Sequence, residues 1–63
     1  MELTKVKIIN SINLLTAHAA ELREISKNAV AMGFLAEAEV IDEEVCAITK
    51  TIRSLKKRLG KFE

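Results

Sequence analysis

From Ala38 to Phe62 an apolar residue recurs at every third or fourth position: Ala38, Ile41, Val45, Ile48, Ile52, Leu55, Leu59 and Phe62. This is an unbroken a/d heptad seam with no polar member, the pattern of a helix packed along its length on another helix. It predicts a helix over about residues 35–61. A second seam crosses residues 3–31, where Ile8, Ile12, Leu15, Ala19, Leu22 and Ala29 recur at helical spacing and Ser26 fills the one gap. Thr4 is the natural N-cap of this first helix, and Glu2 suits the positive end of its dipole, although no capping box completes the start. Val6, Ile9, Leu14, Ile25 and Val30 lie off the seam. They widen the apolar arc beyond what one partner helix can cover.

The two seams do not share a register. Continuing the first would place an a position at residue 33, whereas the second requires positions 31 and 34. The break falls on Gly33, the residue type that tolerates a left-handed conformation after a helix end, with Phe34 as the apolar residue that follows in a Schellman-type stop. A turn near residues 32–34 therefore predicts an αα-hairpin. One long kinked helix is the alternative, because Ala29–Ala36 holds no polar turn residue. Folding the chain back sets Ile8 opposite Leu59, Ile12 opposite Leu55, and Leu15 opposite Ile52. The same register sets Ala19 on Ile48, Leu22 on Val45, and Ala29 on Ala38, so apolar meets apolar at each of these levels. The expected fold is all-α, a single helical-hairpin domain assembling into an oligomeric antiparallel bundle.

Size supports assembly. A chain of 63 residues buries only about 60% of its unfolded surface, and small domains compensate with disulfides, metals or association. Cys46 is the only cysteine and His18 the only histidine, so neither an internal disulfide nor a soft-ligand metal site is expected. The lone thiol suits a reducing compartment, and the expected location is the cytoplasm. No apolar h-region follows Lys5 and Lys7, and no uncharged run is long enough to span a bilayer. In size and shape such a chain resembles small plasmid- or phage-encoded hairpin regulators of the Rop type. The likeness is one of architecture, carried by no shared motif, and transfers no functional residue.

Charge is sorted along the second helix. Glu37, Glu39, Asp42, Glu43 and Glu44 occupy its first half, and Lys50, Arg53, Lys56, Lys57, Arg58 and Lys61 its second. Acid at a helix start and base at its end complement the dipole, which is the plain structural reading. The pattern also bears on self-association. If two copies of this helix met through the seam, antiparallel packing would bring Asp42 near Lys56 and Glu44 near Arg58, while parallel packing would set acid on acid.

Three surface features invite a functional reading. The hairpin would gather Lys5 and Lys7 with Lys56, Lys57, Arg58 and Lys61 at one end, a patch that attracts phosphates or acidic surfaces. The net charge of +1 and the lack of aromatic or Gly-rich companions favour a merely solvated end. Met32, Phe34 and Leu35 at the turn either cap the core or offer a knob to a partner protein. Glu39 and Glu43 stand one helical turn apart but lack the ligand number that calcium wants. His18 and Cys46 fall on different faces, so no nucleophile–base pair is expected. The expectation is a non-enzymatic, cofactor-free regulatory protein that acts as a homo-oligomer and binds a partner protein through helix faces. The alternative is a binder of nucleic acid or an anionic nucleotide through the basic end.

Overall fold

A computed structural model describes residues 4–62. Two helices account for nearly all of them, α1 over Lys5–Ala31 and α2 over Leu35–Gly60, with no strand among the described residues. The helices pack against each other, so the chain is an αα-hairpin rather than one kinked rod. Leu3, included in the expected first helix, lies outside the described residues.

α1 starts where its sequence provides a cap. The Thr4 hydroxyl accepts from the Lys7 backbone N–H at 3.2 Å, and the Thr4 carbonyl accepts the first helical bond from Ile8 at 3.0 Å. α1 ends in a full Schellman arrangement. The Phe34 N–H donates to the Ala29 carbonyl at 2.9 Å, and the Gly33 N–H to the Val30 carbonyl at 3.0 Å. Two carbonyls that the helix end would orphan are thereby satisfied. Gly33 sits at φ +87°, in the region where an L side chain clashes with its own backbone. A Cβ placed there would meet nothing within 4 Å, so any substitution penalty is purely conformational. Gly33→Ala is therefore expected to destabilise the hairpin by about 1–2 kcal/mol, read as a lowered urea midpoint with an unchanged slope. α2 follows after only three residues and has no side-chain cap. Phe34 occupies the cap position, and its carbonyl accepts from Ala38 at 3.0 Å.

Between the helices runs the seam. Ile8, Ile12, Ala19, Ala38 and Ile48 are buried, while Leu15, Leu22, Ala29, Ile41, Val45, Ile52, Leu55 and Leu59 are only partly covered. Two cylinders touching along a line cannot enclose large side chains on every side, and the leucines show it. Phe62 departs from the seam expected of it. α2 stops at Gly60, and Phe62 lies beyond the helix, 49% exposed. The register puts Lys5, in the first turn of α1, where a packing partner would be needed.

Ser26, the gap in the α1 seam, is buried at 5% exposure. Its hydroxyl donates to Asp42 Oδ1 at 2.6 Å, with the Ala38 carbonyl as a second acceptor at 3.4 Å. These bonds set the level of α1 against α2 independently of the apolar contacts. They also modify the expectation for copies meeting through α2. The seam of α2 already faces α1, and the Asp42 carboxylate is engaged within its own chain.

Candidate interaction surfaces

The hairpin is long and thin, 46 × 20 × 14 Å with a radius of gyration of 14.4 Å. A compact chain of this length would have a radius near 11 Å. Its accessible surface is 4947 Å², against roughly 4,000 Å² for a compact monomer of this mass. The difference is spread over two flanks and two ends, and each carries a different chemistry.

Around each helix, heptad positions e and b border one side of the seam, and g and c border the other. In an antiparallel pair, like positions fall on the same flank. The off-seam apolar residues of α1 thus divide rather than form one arc. Ile9 and Val30 fall on the first flank with Leu35 and Cys46. Leu14 and Ile25 fall on the second with Val40, Ala47 and His18. Leu14 is 72% exposed and Val40 65%, and Ile25 and Val30 are about half exposed. The two flanks explain why the apolar arc of α1 exceeds what α2 covers.

At the turn, Met32, Phe34 and Leu35 are each half exposed or more. They do not roof the core, because the tight Schellman stop carries the chain past the end of the seam and projects them outward. Val30, in the last turn of α1, adds further exposed apolar surface beside them.

The other end is basic. Lys5 and Lys7 begin α1, and Lys56, Lys57, Arg58 and Lys61 close α2, all of them exposed. The antiparallel fold brings the two groups to one end of the molecule. Successive residues of a helix turn by about 100°, so Lys56, Lys57 and Arg58 ring the end of α2 instead of converging on one face. An open depression lies on α2 before this end, lined by Thr49, Ile52, Arg53 and Lys56. The Thr49 hydroxyl is turned inward and donates to the Val45 carbonyl at 2.9 Å. This end can attract an anion over a distance, and among the described residues its bases do not converge to enclose one.

Charge separation extends over the whole hairpin. Residues 17–47, the turn half, carry seven acids and two bases; residues 5–16 and 48–62, the open half, carry eight bases and no acid. The acids Glu37, Glu39, Glu43 and Glu44 are all exposed. No group of three or more His, Cys, Asp or Glu among the described residues is arranged to hold a metal ion. His18 and Cys46 are exposed on opposite flanks, beyond hydrogen-bond reach of each other. No helix among the described residues is long and apolar enough to cross a membrane.

The feature that sequence reasoning missed is the Ser26–Asp42 bond. Its signal was available: a polar residue at an a position, facing an acid that borders the opposite seam. Compared with known protein families, curated proteins and solved structures, the chain shows no significant match to any of them.

Proposed function

We propose that this chain is a non-enzymatic interaction protein that works as a homo-oligomer and modulates a partner protein by offering it a helix face. One observation carries the reading. Among the described residues five apolar side chains are buried, whereas ten large ones, from Val6 to Phe62, are exposed. Large exposed apolar patches mark contact sites in folded proteins, and the amphipathic helices on which these lie are the usual elements of helix-in-groove recognition. The tightly joined, capped hairpin presents such faces at little ordering cost.

The test is native mass spectrometry of the protein purified from its cells in low and then in moderate salt. The expected result is a multiple of the 7.0 kDa chain, with any captured protein retained as salt rises. A folded monomer with nothing bound would overturn the reading.

A second reading rests on the eight bases of the open half, which have no acid among them. On it, the open end holds nucleic acid or an anionic nucleotide through phosphate contacts. Bound mass would then fall away steeply with salt, since each phosphate contact releases counterions. Reversing charge at Lys50 and Lys57, both off the seam and off either flank, separates the two. Lys50→Glu with Lys57→Glu leaves protein capture within about twofold on the first reading. On the second it flattens the salt dependence by about two contacts.

A further inference from the structure

We infer that a second copy of this chain seats on the flank carrying Leu14, Ile25, Val40 and Ala47, with the turns of the two hairpins at opposite ends. This rests on the homo-oligomer reading above and specifies its interface. A hairpin this thin leaves most of its seam residues only partly covered, so a second copy laid on one flank adds the cover that a single partner helix cannot give. This flank offers apolar surface for such a contact. Leu14 and Ala47 lie near its middle and Ile25 and Val40 between there and the turn, all exposed. Glu21 and Glu44 lie among them, with Glu37 at the turn and Lys7, Arg58 and Lys61 toward the open end. Exposed apolar side chains interspersed with charges are what a protein–protein contact covers.

Orientation follows from charge. Two hairpins stacked on this flank with their turns at the same end would lay α1 of one on α2 of the other at equal heights. Glu21 would then face Glu44, and Lys7 would face Lys61. Rotating one copy so that the turns lie at opposite ends lays α1 on α1 and α2 on α2. With Leu14 set opposite Ile25 of the second copy, His18 meets Glu21, Glu37 meets Arg58, and Ala47 meets its own counterpart on the two-fold axis. Leu14 then meets Ile25, the acid Glu37 meets the base Arg58, Val40 lies over Ser54, and the smallest side chain of the flank falls on the axis between the two helices. Beyond these pairs, the acidic turn half of each copy lies along the basic open half of the other. That alignment gives the segregated charge of the whole hairpin a role that helix dipoles alone do not require.

Neighbouring residues report on the two flanks. Cys46 belongs to the flank away from the inferred contact, whereas Ala47 lies at its centre. The experiment treats the wild type, and Ala47→Cys in a Cys46→Ser background, with a short bismaleimide, and reads mass under denaturing conditions. The inference expects a crosslinked dimer from the Ala47→Cys protein and none from wild type. It also expects Leu14→Glu to weaken association at least about tenfold while the circular dichroism of the hairpin is kept. Crosslinking through Cys46 and not through position 47 would overturn the choice of flank. Crosslinking between Ile25→Cys and Val40→Cys proteins mixed in the same background, without crosslinking at 47, would overturn the orientation. In both cases the native mass stays a multiple of the chain, and the homo-oligomer reading stands. A folded monomer at every concentration overturns both.

Discussion

Ile48→Ala is expected to remove most of the stability of this chain. Ile48 is buried in the middle of the seam, opposite the equally buried Ala19. Because that partner is small, no long side chain stands ready to fill the space the substitution leaves. Truncating a buried isoleucine to alanine costs about 2–5 kcal/mol, with the upper part of the range where the site cannot collapse. A chain of this length has about 3–9 kcal/mol in total, at the usual stability per residue. The loss is therefore comparable with the whole. Urea titration followed by far-ultraviolet circular dichroism reads it directly, and Val6→Ala serves as the control. Val6 is 66% exposed on the first turn of α1, and its truncation should stay within about 0.5 kcal/mol. If the two substitutions had similar effects, the seam would not be what holds the hairpin together.

The second large effect concerns Ser26 and Asp42. Asp42→Ala removes the acceptor of a 2.6 Å bond and leaves a buried hydroxyl with only the 3.4 Å contact to the Ala38 carbonyl. Hydrogen bonds to a charged group contribute about 1.5–3 kcal/mol, and an orphaned buried group costs its full desolvation. Ser26→Ala removes the donor instead. Its carboxylate partner sits at the exposed edge of the seam and regains water, so the expected cost is under about 1 kcal/mol. The double substitution should be no worse than Asp42→Ala alone, because the hydroxyl that would be stranded has gone. The resulting coupling, about 1 kcal/mol or more, is what a double-mutant cycle measures. Additive effects would mean that the bond contributes nothing. Ser26→Leu would complete the apolar heptad, yet it places a large side chain where Ala29 and Ala38 keep the backbones close, and overpacking of this kind costs about 1–3 kcal/mol.

The backbone of this fold is legible in residue spacing. The seam from Ala38 to Leu59 and its counterpart from Ile8 to Ala29 follow from heptad arithmetic, because only a/d residues can face a single partner helix. Gly33 marks the turn because it alone breaks both registers at a position where φ must be positive. Spacing fails at the ends and on the flanks. Phe62 satisfies the period but not the geometry, since periodicity does not record that α1 offers no apolar partner at that level. The division of Leu14 and Ile25 from Ile9 and Val30 becomes visible only once the side of the seam on which α2 lies is known. Ser26 looks like an interruption of the pattern until Asp42 is brought across from the other helix. The candidate surfaces share this limit, because one hairpin's sequence records which residues it leaves uncovered and not what covers them.

The separated charge of the two halves changes what the net charge of +1 and the isoelectric point of about 7.9 mean. At physiological ionic strength charges are felt over about 8 Å, a small fraction of the 46 Å length. A surface approaching this molecule senses one end at a time. To an ion-exchange matrix, a lipid headgroup or another macromolecule, the chain behaves as two particles of opposite sign on a rigid rod. Neither end is near its own isoelectric point when the whole is neutral.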